Sequence, residues 1–586
     1  MRAGPAGRAL GLLLLLLLAA ALEPASTAVA SVQRAAARAD SADLREEASD
    51  AQIAFERLRR RHLPETWAGP PAPCDERVGR FCFWHEDPEE LYEPPPDPLE
   101  VTVARNELLE ILERAAERIP GDGWIAGQRV RYLVEAGRPG GAVRAIAECR
   151  AERWWCRALL GYARHAASDH AAAEAAFEEA LAAMPTEVRR AWTDLALVLE
   201  GDARERWEVL EAPGARRSFA RRVWWLADPL WSVPGGERRS EHLARHVIDR
   251  LQRRARSPYA VRWGDDLGEL LIRYGWPAGF ERVRQDHLSI ARGRDPSIVA
   301  HHASGGRGFV PGWEAIGAPT LARRAAFSVD RERPRATWAP PFADRFVDLE
   351  HQLALFRRGE RAVVVAGFAL EPDSVAADAP VEAALVVAAG PDAPPEIARS
   401  MEAGPAAAIA DTVPWAPAVV SVEALARREG LAGRARYGLP IRTGSERAAA
   451  VSDLLLLDRA EPLPGSLDEA APRARPTTRV GSGEAVGVYF EIDPPAGAER
   501  AEITLAVRDE RGGFWHGLGS ALGLVEQAGG GAGLSWVETV AADAGPIPRT
   551  LAVELPRLPE GRYALELTVD FGEAGTVVRR RGIEVR

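Results

Sequence analysis

The adjacent carboxylates Asp265 and Asp266 come closest to a catalytic arrangement in this 586-residue chain. Two carboxyl groups that act as acid and base in glycan hydrolysis face each other across about 5 to 9.5 Å. Neighbouring residues of an extended segment point in opposite directions, so this spacing does not place both groups on one substrate. Short acidic side chains can instead accept backbone N–H groups at a turn or pair with nearby arginines. We therefore predict a structural role for both residues and no catalytic site.

Two pairs of histidines have spacings that bear on metal binding. His242 and His246 are one helical turn apart, and His301 and His302 are adjacent. Neither pair has a third ligand at a suitable spacing, and the first pair is not part of the HExxH motif of zinc proteases. We predict structural histidines, with no metal and no cofactor.

The basic residues exclude several further functions. All 74 of them are arginines, since the sequence contains no lysine. A phosphate-binding P-loop and Schiff-base chemistry both require a lysine, so both are excluded. The sequence also lacks the G-x-S-x-G nucleophile turn of α/β-hydrolases. A net charge of −11 argues against nucleic acid as a partner, because nucleic-acid-binding proteins carry a strong basic face.

The N-terminal residues have the pattern of a secretory signal peptide. Two arginines precede an apolar run over residues 9–22, and Ala28-Val29-Ala30 supplies the small-x-small cleavage pattern. The run is shorter than the roughly 20 residues that span a bilayer. No cysteine follows it closely, so we expect cleavage of residues 1–30 and an exported, soluble protein without a lipid anchor, in the periplasm or outside the cell.

Four cysteines form two closely spaced pairs, Cys74 with Cys82 and Cys149 with Cys156. Zinc binding at the first pair would need two further soft ligands, and only His85 is close. Four cysteines allow three pairings, and an exported chain favours disulfides. We predict the two local bridges.

A helix and a strand are predicted to position Asp265 and Asp266. After the break at Pro234-Gly235-Gly236, Leu243, Val247 and Leu251 follow at i, i+4 and i+8, which predicts a helix over 237–254. The short apolar run over 267–274, ended by Gly275-Trp276-Pro277, predicts a buried strand closed by a turn.

Residues 221–280 also carry a set of residues in a distinctive order. These are Asp228-Pro229, an acidic and arginine-rich helix over 241–247, Trp263, Asp266, and then Ile272-Arg273-Tyr274-Gly275-Trp276-Pro277. In this order they resemble the bacterial GWxTD-domain proteins. Where that family has Gly-Trp-x-Thr-Asp, this chain has Arg262-Trp263-Gly264-Asp265-Asp266, and so retains the Trp and the last Asp. The resemblance implies a divergent relative with a mixed α/β domain over 211–340, and it implies no activity.

Residues 101–210 have the pattern of helical repeats. The clearest unit places Leu160, Gly161, Ala173, Phe177, Ala180 and Pro185 at the offsets of the tetratricopeptide repeat. The alanines allow two helices to approach closely, the Phe fills the space between them, and the Pro ends the second helix. A degenerate unit precedes this one, and a third is predicted over 187–210. We expect a short solenoid whose surface around Trp154, Trp155 and Tyr162 either binds a partner or packs on the central domain.

Beyond residue 341, alternating apolar and polar residues predict strands separated by Gly and Pro clusters. Strands over 362–370, 381–389, 418–422, 435–441 and 451–457 predict one β-sandwich over 341–462. Further strands predict a second, immunoglobulin-like sandwich over 477–586. Residues 31–100 are predicted to hold a helix, the first cysteine loop and an acidic, Pro-rich linker. The predicted fold class is a multidomain α + β chain with an N-terminal tetratricopeptide-like helical solenoid, a central mixed α/β GWxTD-like domain and two C-terminal antiparallel β-sandwich domains.

Two functions fit these features. The leading hypothesis is a non-catalytic exported envelope protein that acts as a protein–protein interaction scaffold through its repeats and sandwiches, with unidentified envelope proteins as partners. The alternative is a carbohydrate-binding or glycan-active protein, suggested by the 17 tryptophans, among them Trp515 and Trp536. A row of exposed Trp side chains on one sheet face could stack on sugars, so burial distinguishes the two hypotheses.

Overall fold

A computed structural model describes residues 40–66, 73–85, 92–285, 297–303, 305–371, 374–439, 450–458, 462–509, 533–540 and 545–586. The predicted signal segment, Trp67 and Trp515 lie outside these residues. Within the described ranges, no helix has the length and apolar character needed to cross a membrane.

Helices dominate the chain up to residue 302. The elements are α1 (40–61), β1 (Glu65–Thr66), β2 (Glu76–Val78), β3 (Phe81–Phe83), α2 (Leu99–Arg118), α3 (Gly123–Glu135), α4 (Pro139–Ile146), α5 (Arg153–Ala166), α6 (His170–Ala183), α7 (Thr186–Trp192), α8 (Gly201–Glu208), α9 (Pro213–Ala227), α10 (Glu237–Gln252), α11 (Asp265–Tyr274), β4 (Gly279–Val283) and β5 (Ile298–His301).

Strands dominate the remainder. The elements are α12 (Trp313–Gly317), β6 (Arg345–Asp348), β7 (Glu350–Arg358), β8 (Arg361–Ala369), β9 (Val381–Ala388), β10 (Glu396–Ala403), β11 (Ala406–Pro414), β12 (Ala418–Ala426), β13 (Leu431–Leu439), β14 (Leu455–Asp458), α13 (Leu467–Ala470), β15 (Arg479–Val480), β16 (Ala485–Ile492), β17 (Arg500–Asp509), β18 (Gly533–Thr539), β19 (Ile547–Glu554), β20 (Gly561–Asp570) and β21 (Thr576–Val585).

The chain forms two compact units whose boundaries differ from the predicted domains. The first unit comprises residues 1–84, 92–192 and 240–302, and the second comprises 85–91, 193–239 and 303–586. The third predicted repeat is therefore divided, with α7 in the first unit and α8 in the second. The predicted central domain is divided as well, because most of α10 belongs with the upstream helices.

The apolar stripe of α10 explains this grouping. Leu243, Val247 and Leu251 are buried in one core with Trp155 and Leu159 of α5. The i, i+4, i+8 spacing puts the three aliphatic side chains on one face of the helix. That face packs against the upstream helices, so α10 completes the core of the first unit.

Helices α5 and α6 pack closely, as the repeat offsets lead one to expect. Ala173, Phe177 and Ala180 of α6 are buried, and a Cβ atom on Gly161 would lie only 2.7 Å from the Phe177 ring. Glycine is therefore required at 161 for the aromatic ring to fill the space between the helices. Pro185 separates α6 from α7.

The predicted strand over 267–274 is wrong, because this segment is the helix α11. Leu267, Leu270, Leu271 and Tyr274 are buried at i, i+3, i+4 and i+7, which is the spacing of one helix face. Carboxylates in the first turn favour the helix N-terminus. Gly275, with φ of 87°, ends the helix in a conformation that other residues rarely adopt.

Two β-sandwiches form most of the second unit. In the first, the sheet β10-β9-β12-β13-β6 and the sheet β11-β8-β7 share one buried core. In the second, the sheets β14-β16-β19 and β15-β21-β20-β17-β18 enclose another. Most strand pairs are antiparallel, as predicted, but β6 is parallel to β13 and β15 is parallel to β21. Each of these short strands reaches its sheet from a long connection rather than from a hairpin, which allows parallel pairing.

The strand over 451–457 is predicted to belong to the first sandwich, but β14 pairs with β16 of the second. Its leucines are buried on both faces. Leu456 lies in the core of the second sandwich, whereas Leu455 and Leu457 pack with Phe356 and Tyr489 in a separate core between the two three-stranded sheets. A strand that is apolar on both faces gives no local signal of which sheet it joins.

We expect Gly161→Ala to destabilise the first unit by about 1 to 3 kcal/mol, because the added methyl group collides with the buried Phe177 ring. Gly140→Ala is the matched control, since the nearest atom to its new Cβ is a flexible arginine tip at 3.8 Å. This control should be neutral, or stabilising by up to about 1 kcal/mol, in the helix α4. Denaturant unfolding measures both, and equal effects would contradict the packing described for α5 and α6.

Candidate functional site

The residues that resemble the GWxTD motif pack against the cysteine hairpin. Strands β2 and β3 pair through a two-residue turn, Gly79-Arg80, and the structure contains the Cys74–Cys82 disulfide across the hairpin, with Cα atoms 5.4 Å apart. At the turn, Gly79 has φ of 52°, and a Cβ atom there would lie 2.7 Å from the Asp266 Cβ. Glycine thus permits both the turn and its close approach to α11.

Arg80 binds Asp266 through two charged hydrogen bonds. Its Nε donates to Oδ2 at 2.6 Å and its Nη2 donates to Oδ1 at 2.9 Å. The same Nη2 donates to the carbonyl of Arg262 at 3.1 Å. Asp266 also accepts the backbone N–H of Leu267 at 2.9 Å. The Arg80 hydrogen bond lowers the pKa of Asp266 to about 2, so this carboxylate is ionised at neutral pH and its acceptor positions are occupied.

The second contact between hairpin and helix is centred on Glu76. Arg273 Nη1 donates to the Glu76 carboxylate at 2.7 Å, and Arg273 Nη2 also bonds to it. The Tyr274 hydroxyl donates to the same carboxylate at 2.8 Å. The Tyr274 ring stacks on Phe83, with centroids 3.5 Å apart and planes inclined by 7°. Motif residues Arg273 and Tyr274 therefore hold the hairpin.

Trp263 and Asp265 lie close to this contact between the hairpin and α11. Trp263 is buried, and its indole N–H donates to Asp249 at 2.8 Å. The Asp265 side chain is 97% exposed and pairs with Arg253 at 3.0 Å. Asp265 and Asp266 thus bind different arginines. They lie in the first turn of α11 and not in the extended segment that the sequence suggested.

An open depression of roughly 490 Å³ lies over this contact and is lined by Arg80 and residues 262–266. Asp266 is ill suited to donate a proton there, because the pKa of its carboxyl is held low. In the described part of the chain, no group of His, Cys, Asp and Glu side chains could hold a metal ion.

The remaining motif residues have separate positions. Gly275 and Pro277 follow the end of α11, and Arg245 of α10 donates to the carbonyls of Ile272 and Arg273 at 3.0 and 2.9 Å. Asp228 and Pro229 belong to the second unit, where their carbonyls accept hydrogen bonds from Arg434.

The proposed interaction residues of the repeats are in the core. Trp154 and Trp155 are each 5% exposed and Tyr162 is 7% exposed. All three pack with α10 in the core of the first unit. Of the two alternatives left open by the sequence, the structure shows packing within the chain. The second predicted disulfide, Cys149–Cys156, is also present, with Cα atoms 5.9 Å apart.

Sequence reasoning did not identify the polar cluster where α5 meets α10. The His165 ring bonds to the Ser240 hydroxyl at 2.9 Å and to Glu241 at 2.8 Å. His170 is 3% exposed, and its ring lies 5.2 Å from that of His165. Burial, followed by the neighbouring His165, lowers the pKa of His170 to about 4. The signal for this cluster in the sequence is the spacing of Glu241 and Arg245, which are four residues apart and can therefore pair on one face of a helix.

No protein-family model matches the sequence, and no curated protein matches it. Among solved structures, the chain is similar to the FN1–FN3 domains of chicken CNTN1, with 12% identity over 41% of this chain and 67% of that one, at a TM-score of 0.14. It is similar to E. coli alpha-2-macroglobulin in its native conformation, with 12% identity over 41% of this chain and only 16% of that one, at a TM-score of 0.13. At these TM-scores the likeness adds nothing to the fold described above.

We expect Asp266→Ala to lower the free energy of unfolding by about 1 to 3 kcal/mol, because Arg80 and the Leu267 N–H lose their acceptor. Asp265→Ala is the matched control, and its effect should stay within about 0.5 kcal/mol because the side chain is exposed. Thermal and denaturant unfolding test this expectation. Unchanged melting of either variant together with loss of a glycan- or peptide-hydrolysing activity would contradict the structural role.

We also expect the free energy of unfolding to decrease as the pH is lowered from about 6.5 to about 4. In this range the unfolded chain binds a proton at His170, while the folded protein resists protonation there. The loss is about 1.4 kcal/mol per pH unit for one such group. His170→Leu should flatten the profile, whereas His62→Gln, an exposed control, should leave it unchanged. Burial also lowers the pKa of His302, to about 4, so part of the slope should remain. A profile unaltered by His170→Leu contradicts this assignment.

Proposed function

We propose that the protein is a non-catalytic exported scaffold that binds other envelope proteins. The main support is that the charged residues of the motif bind within the chain. Asp266 binds Arg80 of the hairpin, and Arg273 binds Glu76 of the hairpin. These charges join distant parts of the chain instead of facing a substrate. The signal-peptide pattern supports export, and two disulfides are typical of an oxidising compartment. Relationship to GWxTD-domain proteins and to tetratricopeptide repeats is part of this proposal.

The partner surface is proposed to lie on a sheet edge, because the repeat face around Trp155 is covered by α10. Strand β18 is at the edge of the five-stranded sheet of the second sandwich and, among the described residues, pairs only with β17. An edge strand offers backbone N–H and C=O groups to a strand from another chain.

The side chains of β18 leave this edge poorly protected. Its sequence, residues 533–539, contains no proline, and its one charged residue, Glu538, is paired with Arg549 at 2.9 Å. Val537 points to the outer face and is 52% exposed. Proline and charged side chains are the usual protection of an edge against strand addition. The edge is therefore suited to accept an extended segment of a partner protein.

The positions of the tryptophans do not favour the alternative function, in which a row of exposed Trp side chains binds carbohydrate. Within the described residues, every Trp side chain is buried or half-buried. Trp536 packs against the core of the second sandwich, and Trp515 lies outside the described residues. A row of exposed rings on one sheet face is therefore not present in the described part of the chain.

We expect Val537→Arg to weaken capture of the partner from solubilised envelope fractions by at least about tenfold, since it places a charge on the docking edge. Val578→Arg is the matched control. Val578 is 44% exposed and lies on the same outer face, but on β21, on the other side of the sheet from β18. Quantitative mass spectrometry of the captured proteins gives the comparison, and circular dichroism verifies the fold. Identical recovery by both variants and by the wild type would rule out this edge as the binding surface.

A further inference from the structure

The three-stranded sheet of the first sandwich, β11-β8-β7, has two edges with different surroundings. At the β7 edge, side chains of the same chain bind the outward backbone groups. Arg581 donates to the carbonyl of Leu353 at 2.7 Å. The N–H of Leu355 donates to the Asp453 carboxylate at 3.1 Å, and its carbonyl accepts the Asp453 N–H at 3.2 Å. The β7 edge is therefore closed to a further strand.

The hydrogen bonds between β11 and β8 show which groups of β11 face the other edge. The N–H of Leu370 donates to the carbonyl of Pro405 at 2.8 Å, just before β11 begins. The N–H of Trp415 donates to the carbonyl of Glu360 at 2.9 Å, just after β11 ends. Pairing is regular between these points, and bonded pairs alternate with non-bonded ones. The even-numbered residues of β11 therefore direct their N–H and C=O groups away from β8.

Three consecutive outward positions, Ala406, Ala408 and Ala410, have no hydrogen-bond partner for their backbone groups among the described residues. Thr412 ends this run. Its N–H donates to the Asp411 carboxylate at 2.7 Å, and an arginine of β8 donates to its carbonyl. The open part of the edge is therefore short and has a defined centre, Ala408.

The side chains of β11 do not protect this edge. Charged side chains, proline and irregular pairing are the usual protection against the addition of a strand. Residues 406–410 read Ala-Ala-Ala-Ile-Ala and contain neither a charge nor a proline. The edge strand of the facing sheet, β10, differs in both respects, because it carries Glu396, Arg399 and Glu402 and its pairing with β9 shifts register. Within this sandwich, β11 is thus the edge suited to pairing.

The open stretch is complementary to a second copy of itself. In antiparallel pairing about a two-fold axis at Ala408, that residue lies opposite its own copy, and Ala406 lies opposite Ala410 of the second copy. Every outward N–H then meets a carbonyl, which gives about six hydrogen bonds. The methyl side chains let the two backbones approach. The two Asp411 carboxylates would lie about 20 Å apart along the strands, beyond the range of strong repulsion at physiological salt.

We infer that the chain forms a symmetric dimer through β11, in which the three-stranded sheets of two copies join into one continuous sheet. The two-fold pairing occupies the open edge of both copies, so the assembly closes at two chains. The inference concerns a different edge from β18, and either proposal can fail without the other.

Sedimentation velocity of the full chain tests the dimer at about 1 to 200 µM, a range that covers weak association. We expect dimer to accumulate toward the upper end. Ala410→Pro should weaken dimerisation by about tenfold or more, because it removes an outward N–H from each copy. That N–H is not bonded to β8, so the variant should fold, which circular dichroism verifies. Ala410→Ser is the matched control, since it retains the N–H and should dimerise like the wild type.

Introduced cysteines test the register independently. All four native cysteines are in disulfides, so a new cysteine supplies the one free thiol. Ala408→Cys places two thiols on opposite residues, whose Cα atoms are about 5.5 Å apart, within reach of a disulfide. Ala410→Cys, the control, places them about 14 Å apart along the strands. After incubation with oxidised glutathione, non-reducing electrophoresis should show a covalent dimer for Ala408→Cys alone.

Three results would overturn the inference: a monomer at every concentration up to about 200 µM, a dimer that a folded Ala410→Pro variant leaves unchanged, or bridging of Ala410→Cys as readily as of Ala408→Cys. A dimer that is lost in Val537→Arg but kept in Ala410→Pro would assign the contact to β18 and overturn it as well. The two cysteine variants decide the question if Ala410→Pro does not fold.

Discussion

The capping of α11 by Arg245 is the interaction on which the first unit depends. The last carbonyls of a helix lack partners within the helix, and burial makes that lack costly. Arg245 satisfies two of them, and Glu241 fixes its guanidinium by an ion pair. Glu241 also bonds to His165 of α5. One carboxylate therefore connects α5 to the helix that holds the cysteine hairpin.

In the second unit, buried arginines likewise donate to backbone carbonyls, here those of an irregular segment. Strand β13 carries Arg434 and Arg436, both buried, and their guanidinium groups donate to the carbonyls of residues 226–229. Glu423 of the adjacent strand accepts the backbone N–H groups of Trp231 and Ser232, each at 2.9 Å. Irregular backbone can be buried here because these carbonyl and N–H groups meet charged partners of fixed geometry. Arginine suits this role since it stays charged when buried and its donors form a planar fork.

The parts of the structure that depend on local periodicity could be predicted from the sequence, and those that depend on distant pairing could not. Alternation located most strands, and the leucine spacing located α10. The eight residues of 267–274 fit a buried strand as well as a helix, and only their packing decides between them. A structural role for Asp266 followed from its type and setting, but its partner, Arg80, is 186 residues away. No local pattern in the sequence connects the two.

The separation between Arg80 and Asp266 also orders events during synthesis. A chain that leaves the ribosome from its N-terminus releases the hairpin of β2 and β3 long before α11 exists, so the hairpin has no surface to dock on during that time. Its disulfide closes a loop of only 8 residues in sequence separation and can form without any other part of the fold. The residues of 193–239, which belong to the second unit, emerge before the first unit is complete. The first unit can therefore finish folding only after residue 302 has appeared.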